Sequence, residues 1–135
     1  MNSLQQTKEQ KRAKAAWDDI TSIKDKGFDS EYSATAKNFP MMVLTNGLGQ
    51  ALAFLRAKNK DEHKSFYKHI SCWVTQEIFD KSDEKLLEYL LECDSHIYRR
   101  STTEALAFAV WLKRFAEAEL DEKKKAKNNS DLDKE

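Results

Sequence analysis

The chain has 135 residues, enough for one domain with a real core, and 40% of them are hydrophobic. Its 23 basic and 23 acidic residues cancel, which argues against a protein that binds nucleic acid alone, since such domains usually carry a basic excess. Three glycines and one proline are too few for the turns of a sheet-rich fold, so we predict an all-α fold.

Apolar spacing and cap residues predict about six helices in a single compact domain. They span residues 4–26, 30–38, 40–58 and 62–79, then a fifth that begins at Ser82 and a sixth from 95 to 120. Gly27 closes the first helix, Ser30 caps the second, and a break at Asn38–Pro40 precedes the third. We predict a helical domain over residues 1–120 and a charged, disordered tail over 121–135.

The sequence favours a cytoplasmic protein. It contains no run of 18 apolar residues that could span a membrane, and its first residues lack the apolar core of a secretory signal. Cys72 and Cys93 have neither CxxC nor CxxH spacing. We therefore expect two reduced, partly buried thiols.

Two segments, residues 43–55 and 105–112, are almost free of charge in a chain that is 34% charged. A helix that is apolar all round must be enclosed by other elements. We therefore expect two central apolar helices that pack on each other inside the remaining helices. We expect residues 103–115 to lie on a strip of small residues with a neighbouring leucine, formed by Gly47, Ala51 and Leu55.

Asn46 and Gln50 are polar exceptions in the first of these segments. If they are buried they need hydrogen-bond partners, and Thr102 and Glu104 of the sixth helix are the candidates. We interpret this set as a structural lock that fixes how the central pair docks, in preference to a ligand site.

The sequence shows no signature of catalysis. His63, His69 and His96 are scattered without the spacing of metal ligands. The pair Gly47-x-Gly49 lies in an apolar helix and lacks the Lys-Ser/Thr that follows a phosphate-binding loop. We predict a protein that is not an enzyme and that uses no metal, cofactor or small-molecule substrate.

Charge is unevenly distributed along the chain. Residues 56–68 are mainly basic, whereas residues 77–94 are mainly acidic. Such a bipolar subunit could stack on copies of itself, or offer a basic face to RNA and another face to protein.

The sixth helix has an apolar middle and two basic ends. Arg99 and Lys113 are 14 residues apart and fall on nearly the same side, about 21 Å from each other, and Arg100 and Arg114 repeat this relationship. They could contact phosphates along an extended backbone. The plainer alternative is that they solubilise the ends of a buried helix, with Lys113 and Arg114 also pairing with Glu117.

These segments resemble the small subunit of type III-B CRISPR effector complexes, the Cmr small-subunit family. The resemblance is carried by residues 44–55, LTNGLGQALAFL, by YRR at 98–100, by TEAL at 103–106 and by WLKRFAE at 111–117. It covers almost the whole chain in length and helix order. It implies an all-helical, non-catalytic subunit of which several copies stack beside the guide-RNA backbone and help form the channel for target RNA.

The resemblance also implies partners: other Cmr subunits, copies of the chain itself, and the region of the guide RNA–target RNA duplex. The basic residues that we expect at the RNA are Arg56, Lys58, Lys60, Arg99, Arg100, Lys113 and Arg114, with Lys11 and Lys14 in reserve. Two other functions remain open. One is a helical adaptor that binds protein only, and the other, disfavoured by the lack of a basic recognition helix, is a regulator that binds duplex DNA.

Overall fold

The computed structural model describes residues 6–121. Six α-helices follow one another: α1 (Lys8–Ile23), α2 (Asp29–Asn46), α3 (Leu48–Lys58), α4 (Asp61–Phe79), α5 (Leu86–Glu92) and α6 (Ser95–Glu119). No strand occurs within this range, so the all-α prediction and the number of helices are confirmed. None of these helices combines the length and the apolar character needed to cross a bilayer.

The first helix begins with a capping box. The Thr7 hydroxyl accepts a hydrogen bond from the Gln10 amide at 3.1 Å, and the Gln10 side chain accepts one from the Thr7 amide at 2.8 Å. The predicted start at residue 4 lies outside the described residues. The helix ends at Ile23, three residues earlier than predicted, and the chain then turns through Asp25 and Gly27, which both have positive φ.

The predicted break at Asn38–Pro40 is wrong, because Pro40 lies inside α2. An interior proline costs a helix about 3 kcal/mol. The burial of Phe39 and Val43 on either side of Pro40 offsets that cost, as each large apolar side chain contributes about 1.5–3 kcal/mol. The Ser30 cap is also wrong, since α2 begins one residue earlier, at Asp29.

The chain instead breaks at Gly47, inside the predicted third helix. Gly47 has φ +90° and ψ 159°, a conformation that side-chain-bearing residues rarely adopt. Its amide donates to the Val43 carbonyl at 2.8 Å, and its carbonyl accepts from the Ala51 amide at 3.1 Å. Gly47 therefore ends α2 and starts α3, and the first apolar segment spans two helices.

The helices pack in three layers. α2 and α4 contact each other in the middle, α1 and α6 pack on one side of them, and α3 and α5 pack on the other. The apolar part of α6 thus contacts α1, α2 and α4, whereas α3 packs mainly on α2, α4 and α5. The prediction that residues 103–115 lie on the strip formed by Gly47, Ala51 and Leu55 is therefore wrong, because α2 and α4 stand between α6 and α3. Trp73 of α4 stacks on Phe108 of α6 at a centroid distance of 5.0 Å, and Phe66 of α4 contacts Phe39 of α2 at the same distance.

The start of the fifth helix differs from its prediction, whereas the start of the sixth confirms it. Residues 81–85 precede α5 as a loop, and the Asp83 carbonyl of this loop accepts a hydrogen bond from buried Ser71 at 2.8 Å. Ser82 therefore caps no helix, and α5 begins at Leu86. Asp94 caps α6 by accepting a hydrogen bond from the Ile97 amide at 2.9 Å.

The predicted tail, residues 121–135, lies outside the described residues except for Asp121. The Asp121 carboxylate accepts hydrogen bonds from Ser33 at 2.7 Å and from Lys37 at 2.5 Å, both on α2. Asp121 therefore belongs to the folded domain and ties the end of α6 to α2.

Candidate nucleic-acid interface

A groove with a basic lining lies where the start of α1 meets the first half of α6. Its volume is about 390 Å³. The lining side chains are Lys8, Arg12, Ile78, His96, Arg99, Arg100, Thr103 and Glu104. Two lysine or arginine side chains come from each helix, against one carboxylate in the lining. Lys8 and Arg12 also pair with Glu77 and Glu9 outside the lining, at 3.8 and 2.7 Å, so the unpaired positive charge of the groove comes from the α6 arginines. We call it the basic groove.

Glu104 holds the α1 side of the basic groove in place. Its side chain is only 4% exposed. Arg12 binds both carboxylate oxygens, with Nε 2.6 Å from Oε2 and a terminal nitrogen 2.9 Å from Oε1. Lys8 Nζ lies 3.0 Å from Oε1, and the Trp73 indole N–H donates to Oε2 at 2.9 Å. One buried carboxylate thereby joins α1, α4 and α6.

The pKa of Glu104 reports how well this carboxylate is satisfied. Burial alone would raise the pKa, but hydrogen bonds from Arg12, Trp73 and Lys8 lower it to about 2. The same contact raises the pKa of Arg12, against the opposing effect of burial. Both charges therefore persist at neutral pH, and Arg12 has a structural partner already.

Arg99 and Arg100 are the accessible cations of the basic groove. Both side chains are exposed, and neither forms an ion pair within residues 6–121. Their guanidinium groups are therefore free to bind an external anion such as a phosphate, for which arginine has a matching fork of N–H donors.

Lys113 and Arg114 lie further along the same helix. Because α6 is continuous from Ser95 to Glu119, Lys113 stands about 21 Å from Arg99. Arg114 is exposed and lies 3.8 Å from Glu117, as the plainer alternative expected. It borders a second groove of about 480 Å³, formed with Glu9, Ala107, Val110 and Trp111. These two residues extend the basic line along α6 but stand outside the basic groove.

Arg56, Lys58 and Lys60 belong to a different layer of the fold. Arg56 and Lys58 lie in the last turn of α3, Lys60 directly precedes α4, and all three are exposed. Arg56 forms an ion pair with Glu88 and lies over the Tyr67 ring at 5.7 Å. Lys58 lies over the Phe54 ring at 5.3 Å. The structure does not bring these three cations together with those of α6, and the charge of Arg56 is already compensated.

The two reserve candidates on α1 do not line the basic groove. Lys11 and Lys14 are exposed, and Lys14 pairs with Asp18 at 2.9 Å. Sequence reasoning overlooked Lys8 and Arg12, which do line the groove. Their spacing of four residues marks one face of a helix, but that spacing alone does not tell which face meets α6.

The predicted structural lock is wrong, because Asn46 and Gln50 do not form hydrogen bonds with Thr102 and Glu104. Asn46 and Gln50 are exposed, and Thr102 donates to the Tyr98 carbonyl of its own helix at 3.1 Å. Glu104 is buried, but its partners are on α1 and α4. The contact that joins α3 to α6 is a hydrogen bond from the Gly49 amide to the Tyr98 hydroxyl at 2.8 Å.

Within residues 6–121, no group of three or more histidine, cysteine or acidic side chains could hold a metal ion. Cys72 and Cys93 are free and half-buried, and burial raises the pKa of both thiols. Both therefore remain protonated thiols at neutral pH and are weak nucleophiles.

The fold and the groove define a small all-helical protein that carries a groove lined by four lysine and arginine side chains. The family model described as CRISPR-associated protein (Cas_Cmr5) matches residues 8–119. The chain is 36% identical over 92 residues to the CRISPR system Cmr subunit Cmr5 of Thermus thermophilus. The aligned residues cover 68% of this chain and 77% of that protein. The X-ray crystal structure of a CRISPR-associated Cmr5 family protein from Thermus thermophilus superposes with a TM-score of 0.74 at 31% identity, covering 84% of this chain and 97% of the other.

The chain therefore belongs to the Cmr5 family. It is a small subunit of a type III-B CRISPR Cmr complex, and it associates with other components of that complex. The resemblance noted in the sequence is confirmed at the level of the family.

Proposed function

We propose that the chain is a non-catalytic structural subunit that stands in several copies beside the guide RNA and binds the backbone of target RNA. It would act in the cytoplasm, in defence against viruses. The observation that carries this proposal is the basic groove, in which Arg99 and Arg100 are exposed and have no ion pair within residues 6–121.

The proposed contacts are to phosphate and sugar, without reading of bases. Arginine forks match phosphate oxygens, and such contacts fix position without carrying sequence information. Sequence recognition would come from pairing with the guide, as in other RNA-guided systems. Since the net charge of the chain is zero, each copy would bind RNA weakly, and copies held in a row would add their contacts through avidity.

The test is a double substitution, Arg99→Gln with Arg100→Gln, in the assembled complex. Target-RNA affinity is measured over a range of salt concentrations. We expect affinity to fall about ten-fold at 0.1 M salt, and the slope of log affinity against log salt to decrease by about 0.7 for each single-strand phosphate that is no longer bound. Helix content should be unchanged, because both side chains are exposed.

The matched control is Lys81→Gln with Lys85→Gln, which removes the same charge from exposed positions in the loop before α5. If both double variants weaken binding equally, the effect reflects overall charge and not the groove. Wild-type affinity and slope in the arginine variant would refute the proposed RNA contact.

A second function, an adaptor that contacts only protein, is supported by a different observation. Met41, Leu44 and Leu91 are large apolar side chains that are 66%, 68% and 77% exposed. Met41 and Leu44 are three residues apart on α2 and so fall on one side of that helix, and neighbouring exposed apolar side chains are typical of protein interfaces. A complex assembled without this subunit distinguishes the two functions, because the adaptor predicts unchanged RNA affinity once the other subunits are in place.

A further inference from the structure

A separate cavity lies between α2, α3 and α4, away from the residues of the basic groove. Its volume is about 290 Å³. Met42 of α2 with Phe54 and Leu55 of α3 supply apolar walls, while Glu31 of α2 and Glu62 of α4 supply carboxylates. His63 also lines it, and its ring meets Phe54 edge to face at a centroid distance of 6.2 Å. We call it the acidic cavity.

The charge of the acidic cavity is one-sided. It has two carboxylates in its lining, and no lysine or arginine is among the lining residues. Glu62 is only 9% exposed and stands in the first turn of α4, where the helix dipole favours negative charge. Burial lowers the pKa of His63, so that the imidazole is neutral at pH 7. The charges of Lys58 and Lys60 also lower the pKa of His63, but neither lysine lines the cavity, so Glu31 and Glu62 have no basic partner within the lining.

Neither His63 nor Lys58 neutralises the charge of Glu62. The buried Nδ1 of His63 has no hydrogen-bond partner in the described part of the chain and lies 3.5 Å from the nearer Glu62 oxygen. Lys58 lies over the Phe54 ring at 5.3 Å but does not line the cavity. That contact shows, however, that the Phe54 ring can receive a cation.

We propose that the acidic cavity binds an arginine or lysine side chain from a different protein subunit of the complex. The aliphatic stem would pack on Met42, Phe54 and Leu55, and the cationic head would pair with Glu31 and Glu62. Long basic side chains combine these two characters, an apolar stem and a charged end. The volume is close to the lower limit of ligand pockets, about 300 Å³, which suits a single side chain.

Other occupants fit less well. A phosphate would meet two carboxylates, so RNA is repelled here and the cavity serves a partner distinct from that of the basic groove. A purely apolar side chain would cover Glu62 without supplying a counter-charge, which is costly. The inference rests on membership of the Cmr5 family and does not depend on the proposed RNA contacts.

The first test compares binding of substituted subunits to a complex assembled without this subunit. Glu62→Gln removes the charge, and Ala34→Trp fills the cavity from an exposed position on its rim. We expect each to weaken binding about ten-fold or more, since a charge-assisted hydrogen bond or an anchoring side chain is lost. The controls are Asp61→Asn, an exposed neighbour of Glu62, and Ala57→Trp, exposed on α3 outside the lining.

The controls should stay within two-fold of the unmodified subunit, and thermal unfolding of each isolated variant shows whether it is folded. Ala34→Trp keeps the test decisive if Glu62→Gln unfolds, because Ala34 is exposed. Binding of folded Ala34→Trp within two-fold of wild type would overturn the docking site. Unchanged binding of folded Glu62→Gln would overturn the requirement for a cation.

The second test identifies the occupant by placing a photo-crosslinking amino acid at Thr35, which lines the cavity. We expect a crosslink to a peptide of another Cmr subunit that contains arginine or lysine, lost on Glu62→Gln. A crosslink to RNA, to a second copy or to a peptide without these residues would overturn the proposal, as would no crosslink. The Arg99 and Arg100 substitutions should lower RNA affinity and leave this crosslink intact, so failures of the two proposals are distinguishable.

Discussion

Substitution of Glu104 by glutamine removes the charge at the base of the basic groove while keeping the shape of the side chain. The pKa of this carboxyl is lowered from 4.5 to about 2 in the folded chain. One pKa unit corresponds to about 1.4 kcal/mol, so the folded state favours the carboxylate by at most about 3.5 kcal/mol. Because the Lys8 side chain is 50% exposed and screened by water, we expect Glu104→Gln to lower the free energy of unfolding by about 2 kcal/mol at pH 7.

The effect of Glu104→Gln should depend on pH in a defined direction. A carboxyl whose pKa is lower in the folded than in the unfolded chain stabilises the fold above its unfolded pKa. That stabilisation is lost as the pH falls from about 4.5 to about 2, through the folded pKa. The difference between wild type and variant should therefore be constant from pH 6 to 8 and should shrink steadily below pH 4.5.

The assay is urea unfolding of wild type and variant at pH 7 and at pH 3, followed by circular dichroism. Glu92→Gln is the matched control, since Glu92 is exposed and forms no ion pair within residues 6–121, and we expect it to change stability by less than 0.5 kcal/mol. A loss below 0.5 kcal/mol for Glu104→Gln at pH 7, or an equal loss at both pH values, would refute the reasoning.

Two further substitutions test the packing. Gly49→Ala should lower the free energy of unfolding by about 1 kcal/mol in urea titrations, because the new Cβ would stand 3.0 Å from the Tyr98 hydroxyl and this crowding outweighs the gain of about 1 kcal/mol that alanine has over glycine in a helix. Tyr98→Phe should reduce that loss, and additive losses would contradict the clash. Burial of Asp19, with the nearby Asp18 carboxylate, raises its pKa from 3.8 to about 7, so its protonated form favours the fold and stability falls as pH rises between these values. The difference between 3.8 and about 7 corresponds to about 4 kcal/mol, and because the Asp19 side chain is 28% exposed to water, we expect Asp19→Asn to stabilise the chain by about 2 kcal/mol at pH 8 but not at pH 4. The exposed control is again Glu92→Gln, and a gain independent of pH would contradict this account.

The parts of the fold that sequence predicts best are those set by local chemistry. Asp94 before a long apolar-periodic segment marks the start of α6, and the structure has the cap at that residue. α4 begins one residue before its predicted start and ends at Phe79 as predicted. In both cases the signal, an acidic first turn or a cap followed by buried residues at helical spacing, lies within the helix itself.

The errors around α2 and α3 come from weighing proline and glycine by propensity alone. Pro40 was expected to break the chain, but buried Phe39 and Val43 hold it within a helix. Gly47 was expected inside a helix, but it takes a positive φ and separates two. Gly49 marks a close approach of a side chain, the Tyr98 hydroxyl, to the backbone of α3. Tertiary packing decides such cases, and a local pattern does not contain it.

The basic groove combines residues that only the fold brings together. Arg12 and Glu104 are 92 positions apart in the chain, and no local spacing links them. Arg99 and Arg100 were expected at the RNA from their place on α6, and they line the groove. Their binding role stays a prediction, as do those of the other basic residues.

The basic groove contains cations that pair with Glu104 and arginines that do not. Substitutions can therefore test the effect on stability separately from the effect on RNA binding. Arg12 is held by a buried carboxylate, so its substitution should leave that carboxylate unsatisfied and weaken the fold. Arg99 and Arg100 are exposed, and their removal should cost little stability. RNA affinity that falls in the Arg99 and Arg100 variant at unchanged unfolding free energy is therefore the result that an RNA-binding role requires, whereas a parallel loss of both would mean that the groove is only a structural joint between α1 and α6.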